Sequence, residues 1–168
     1  MIVNGIELFN AQPILNMEPS KVKLNGVSHG LGEAGYDIRI KQDIRFSPNG
    51  GGRLISVLEP HESYPTTKVG RFTRASAIEE FTMPRNLTGI VHDKSTWARE
   101  GLSVFNTVIE PGWKGFLTLE LVYHGQGDLH IPAGSGIAQV IFHRTACNAE
   151  YTGKYQHQAD KPVDAIFA

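Results

Sequence analysis

Short runs in which apolar and polar residues alternate, broken at close intervals by glycine and proline, dominate this chain. The runs cover residues 36–40, 52–58, 63–68, 87–91, 102–106, 116–123, 128–131 and 137–144. They are bounded by turn formers such as Ser47-Pro48-Asn49-Gly50, Glu110-Pro111-Gly112 and Pro132-Ala133-Gly134. Alternation of this kind suits strands that bury one face, and the bounding residues supply tight turns. Long helices do not tolerate 18 glycines and 9 prolines spread over 168 residues. The pattern predicts an all-β sandwich, jelly roll or barrel. Helix is expected over residues 95–100, with Ser95 as N-cap, and as one further turn near residues 75–80. Nothing resembling a repeat or linker divides the chain, whose length suits one domain, 1–168. Gly50-Gly51-Gly52 reads as a hairpin loop, since no helix-forming segment follows it to complete a phosphate cradle. The stretch from about residue 150 to 168 is polar, is interrupted by Gly153 and Pro162, and has the composition of a terminus that frays.

A net charge of −1 gives no general attraction to nucleic acid or anionic membrane, so an anionic ligand needs a local basic site. Cys147, the only cysteine, rules out an internal disulfide and a multi-cysteine zinc site, and is expected to be a small buried hydrophobe. The beginning, MIVNGIELFN, lacks the basic start and apolar core of a signal peptide, and no apolar run reaches the roughly 20 residues of a membrane span. The expected location is the cytoplasm.

Candidate chemistry lies in three places. In the strand 116–123, Leu117, Leu119, Leu121 and Tyr123 share the core-facing side, while Phe116, Thr118, Glu120 and Val122 share the other. Glu120 is the only charge in this stretch. It is either a solvent-facing glutamate or a carboxylate on a pocket floor, where desolvation would suit it to proton transfer. Next, Lys94-Ser95-Thr96 puts an ammonium and two hydroxyls at an expected helix start, with Arg99 one turn beyond Ser95. That arrangement fits an anion site or an ordinary capped surface helix. Last, Lys154-Tyr155-Gln156-His157-Gln158 puts a cation, an aromatic ring and amides in the tail, which could fold over a phosphate and exclude water. The seven histidines are dispersed, and the chain lacks the His-x-Glu and Pro-Cys-x-x-Cys of zinc-dependent nucleobase deaminases. Any deamination must use a side chain, not zinc, to activate water.

Taken in order, these segments resemble the dCTP deaminase branch of the trimeric dCTP deaminase/dUTPase superfamily. Ala34-Gly35-Tyr36-Asp37-Ile38-Arg39-Ile40 resembles its first motif, and Glu79 through Gly89 the strand that leads to its serine-bearing helix. Residues 94–102 resemble the deaminase pattern R-S-S-x-A-R-x-G-L, Glu110-Pro111-Gly112-Trp113-Lys114-Gly115 resembles D-P-G-[WF]-x-G, and Thr118-Leu119-Glu120 resembles x-L-E. Residues 134–142 resemble the closing strand, and Lys154-Tyr155-x-x-Gln158 the deaminase tail, so the similarity runs from about residue 34 to 158. Lys94 and Thr96 stand where the family usually has arginine and serine, and Glu110 where it has aspartate. The link 103–109 is about two residues shorter than usual, and the first 33 residues lack the usual opening helix.

The resemblance implies a distorted jelly-roll or β-barrel protomer of the dUTPase-like type with one or two short helices. It also implies a homotrimer with active sites between subunits. The implied reaction is zinc-independent deamination of a deoxycytidine nucleotide, dCTP, to dUTP and ammonia. Glu120, Arg99 and Ser95 would be catalytic. Lys94, Thr96, Lys154 and Gln158 would bind the triphosphate, and Glu110 the sugar hydroxyl. Thr107, Val108, Thr118, Gln139 and Tyr155 would complete the substrate contacts, with Trp113 either a pocket wall or a core aromatic. Mg²⁺ would be held by phosphate oxygens and water, with no metal ligand from the protein. The tail would close over the site. Alternatives are a dUTP diphosphatase whose water is directed by Asp37, an enzyme with both activities, and a non-catalytic nucleotide-binding regulator.

Overall fold

A computed structural model describes residues 1–167. The elements run β1 (Ile2–Val3), α1 (Gly5–Ala11), β2 (Val22–Leu24), β3 (Val27–Leu31), β4 (Tyr36–Arg39), β5 (Asp43–Asn49), β6 (Gly52–Leu58) and β7 (Thr66–Val69). There follow β8 (Phe72–Thr82), β9 (Leu87–Asp93), α2 (Ser95–Arg99), β10 (Leu102–Val104), β11 (Val108–Ile109), β12 (Lys114–Tyr123), β13 (Leu129–Ile131) and β14 (Gly136–Arg144). They form three antiparallel sheets. The largest has the order β11-β9-β14-β4-β3-β2, with β1 also pairing β14; the others are β10-β12-β8 and β13-β5-β6-β7. Buried side chains from all three, among them Tyr36, Phe46, Phe81, Leu119 and Phe142, join one continuous core. The architecture is all-β, as the alternating pattern predicts.

The turns explain the pairing. Asn25 and Gly26, at φ 53° and 78°, join β2 to β3, and Gly50 and Gly51 join β5 to β6. Two-residue turns with both residues at positive φ match the natural twist of a hairpin.

Four expectations give way. Residues 75–80 are strand, the middle of β8, despite alanines and glutamates that favour helix. Ala75, Ser76 and Ala77 are all fully buried, so this part of β8 is packed on both faces and needs small side chains. The Ser76 amide also donates to Gln42 Oε1 at 2.9 Å, and tertiary packing overrides propensity. The N-terminal region does carry an opening helix, the seven-residue α1. Leu8 is its only fully buried side chain, so it leaves little periodicity to read. Cys147 is exposed, because the chain has already left the core after β14. Ser95 is the first helical residue of α2, and Lys94 is its N-cap.

Candidate active site

β12 alternates as expected: Leu117, Leu119, Leu121 and Tyr123 are buried, while Phe116, Thr118, Glu120 and Val122 lie half-buried on the opposite face. Of that second face, Thr118 and Glu120 look into a pocket. This pocket is a cavity of about 580 Å³, walled by β8, the segment 107–113 and the tail. Glu120, Thr118, Thr107, Val108, Glu110, Trp113, Tyr155 and Gln158 all line it. Burial pushes the Glu120 carboxyl above the ordinary glutamate range, opposed by its own backbone amide and the charge of Arg74. A carboxylate so placed holds a proton more strongly than an exposed glutamate does, which suits it to accept and return one.

Trp113 resolves the choice posed for it by being both wall and core. It is 5% exposed, packs against Phe81 with ring centroids 6.1 Å apart, and lines the cavity. Its indole Nε1 donates to the Tyr155 carbonyl at 2.6 Å.

The tail does not fray. The Gln156 side chain bridges the Lys114 amide and the Gly112 carbonyl. Gln158 pairs in parallel with Gly115, and its side-chain amide donates to Thr118 Oγ1. Asp160 makes an ion pair with Lys41, and Asp164 one with Arg74. Lys154 does not line the cavity, and its ammonium donates to the Ile166 carbonyl.

The α2 group lies elsewhere. Ser95, Thr96 and Arg99 are exposed, and none of them lines the cavity of its own chain. Lys94 is 9% exposed and ion-paired with Asp37, itself 3% exposed, with Ser28 Oγ 3.2 Å from the ammonium. Gln139 on β14 is half-buried and sits in register with both Asp37 and His92. The chain thus brings Glu120, Thr107, Val108, Glu110, Trp113, Thr118, Tyr155 and Gln158 together, and leaves Ser95, Thr96, Arg99, Lys94, Gln139 and Lys154 outside.

Phe72, Arg74 and Tyr151 line the cavity without having been singled out in the sequence, Leu117 lines it although its alternation points to the core, and from the tail, expected to close over the site, residues 163–165 also contribute. Phe72 and Arg74 belong to β8, where reading residues 75–80 as a helical turn hides the alternation that gives their facing. Among the described residues, no helix is long and apolar enough to cross a membrane.

The fold resembles solved structures of a dUTPase and of a dCTP deaminase. It superposes on the native EIAV dUTPase with a TM-score of 0.50 at 18% identity, covering 86% of this chain and 92% of that one. On the 2'-deoxycytidine 5'-triphosphate deaminase from Agrobacterium tumefaciens the TM-score is 0.56 at 14% identity, covering 86% of this chain and 48% of that one. Sequence comparison is more specific. The family model for dCTP deaminase-like proteins matches residues 16–145. A dCTP deaminase of Campylobacter hominis is 34% identical over 145 residues, spanning 79% of this chain and 76% of its own. One of Nitrosomonas europaea is 34% identical over 158 residues, spanning 84% of each. The chain belongs to the dCTP deaminase-like family.

Proposed function

We propose that this protein is a cytoplasmic, zinc-independent deaminase that converts dCTP and water to dUTP and ammonia. One observation carries the reading: the single carboxylate on the polar face of β12 lies in a cavity, half-buried, with its proton affinity raised by desolvation. Glu120 takes a proton from a water near C4 of the cytosine as the oxygen adds to that carbon. It delivers that proton to the ring nitrogen, then carries the second proton from the added hydroxyl to the amine, so that C4=O forms as the C4–N bond breaks and ammonia leaves. Family membership and the dCTP deaminase relatives support this substrate.

The active unit is a homotrimer. Ser95, Thr96 and Arg99 stand exposed on α2, outside their own chain's cavity, and so are free to complete the cavity of a neighbour. There Arg99 orients the water and Glu120, and Ser95 helps to hold the water and phosphates. Thr96, Gln158 and Lys154 serve the triphosphate, Glu110 the sugar hydroxyl, and the tail closes the cavity. Mg²⁺ arrives with the nucleotide, bound by phosphate oxygens and water. Lys94 acts from behind this site, neutralising Asp37. The buried Lys94–Asp37 pair weighs against dUTP hydrolysis through a water directed by Asp37.

The test follows ammonia and pyrophosphate separately from dCTP and dUTP in the presence of Mg²⁺. Ammonia from dCTP is the expected product, and Glu120→Gln reduces it about a hundredfold or more. Near-normal ammonia release by that variant would overturn the mechanism.

A further inference from the structure

Glu120 has neighbours on both sides in the three-stranded sheet. From β10, the Phe105 amide just beyond the strand end donates to the Glu120 carbonyl at 2.9 Å. From β8, Arg74 stands in direct register with it. Both Arg74 and Glu120 line the cavity. Directly opposed residues of an antiparallel pair have Cβ atoms about 5 Å apart, a gap that an arginine side chain spans. Yet the Arg74 guanidinium is paired with Asp164 of the tail, and Glu120 has no ion-pair partner among the described residues.

Asp164 is highly exposed, at 83%, so the docked tail is what keeps it in place. The residues around it are fixed to the cavity wall. The Val163 amide donates to Thr118 Oγ1 at 3.0 Å, and the Ile166 amide to the Tyr155 hydroxyl at 2.9 Å. Besides Arg74 and Asp164, the titratable groups facing the cavity are Glu110 from the segment after β11 and Tyr151 and Tyr155 from the tail. Lys68 of β7 flanks Arg74 in the adjoining smaller cavity. Arg74 is therefore the cation placed to reach Glu120 within this chain.

We propose that Arg74 is a positioning residue for Glu120 and that Asp164 decides when it acts. With the tail docked, Asp164 holds the guanidinium away. With the tail released, Arg74 turns to the carboxylate opposite and holds it as an ion pair. Glu120 then becomes a free, desolvated base only when the cavity is covered. This rests on the deaminase reading for the role of Glu120, but the switch itself can be measured without turnover.

The measurement is a titration of the Glu120 side chain by NMR in full-length protein labelled with carboxyl-13C glutamate. The resonance is assigned by its loss in Glu120→Gln. Asp164→Asn is expected to lower the Glu120 midpoint by about one pH unit, as an arginine placed beside it would. Arg74→Gln raises the midpoint, Arg74→Lys retains the wild-type direction, and Asp164→Asn has no further effect once Arg74 is Gln. An unchanged midpoint in Asp164→Asn overturns the proposal. So does an equal drop when residue 74 is Gln, which would mean hydration and not Arg74 moved the carboxyl. The acid limb of the ammonia-release profile should move with the midpoint. If the midpoints behave as expected while wild-type protein releases no ammonia, the switch stands and the deaminase reading falls.

Discussion

Gly115 and Gln158 approach so closely that a Cβ on Gly115 would lie 2.6 Å from the Gln158 amide nitrogen and 2.7 Å from its carbonyl oxygen. Gly115 also has φ of +133°, a conformation open to glycine and costly for other residues. Gly115→Ala should therefore displace the tail from β12 at an overpacking cost of about 1–3 kcal/mol. The expected result is faster tryptic cleavage after Lys154 and a raised KM, with the β-sheet signal in circular dichroism unchanged.

The raised proton affinity of Glu120 makes a stability prediction with a definite sign. Its folded-state pKa lies above the unfolded value because burial disfavours the charged form. The stabilisation of the neutral carboxyl is complete below the unfolded pKa, near 4.3, and is lost as pH rises through the folded pKa. Glu120→Gln should thus melt above the wild type at pH 8, with the gap closing below about pH 4. Thermal melts across that range check it; a gap that widens toward acid would contradict the burial.

Lys94 and Asp37 stand or fall together. Removing the ammonium alone, as in Lys94→Met, leaves a carboxylate that is 3% exposed without its partner. The expected cost is about 3–5 kcal/mol in urea unfolding. Adding Asp37→Asn should recover most of it, because a neutral amide tolerates burial far better than a lone charge.

Subunit mixing tests the trimeric site. Arg99→Ala and Glu120→Gln should each lose activity about a hundredfold alone. When the two are unfolded and refolded together, sites that take Glu120 from one subunit and Arg99 from another regain both groups. Random assembly restores about a quarter of the wild-type rate. A mixture that stays inactive would confine the site to one chain.

Much of the fold could be read from local pattern. The facing of β12 follows from strict alternation, and Glu120 is found as the one charge on its polar side. The hairpin at Asn25-Gly26 carries a turn signal of its own, but the strand before it, β2, is exposed along its whole length and passes as coil. β8 hides behind helix-favouring residues, and with it goes Arg74. Its pairing with Glu120 is a matter of register between distant segments, which no window of sequence contains. The tail shows the same limit from the other side. Its polar composition fits a loose end, and it is held by hydrogen bonds to the 112–118 region, whose shape exists only in the folded chain.

The position of β14 bears on how the chain acquires its structure during synthesis. The last strand in sequence lies inside the largest sheet, between β9 and β4, and also pairs with β1 from the opposite end of the polypeptide. A nascent chain emerging from the ribosome therefore lacks the strand that bridges these segments until residues 136–144 have been made. Such long-range pairing slows folding and leaves edges unpaired meanwhile. Ribosome-stalled chains ending before residue 136 should remain protease-sensitive, and those extended past residue 144 should become resistant once clear of the exit tunnel.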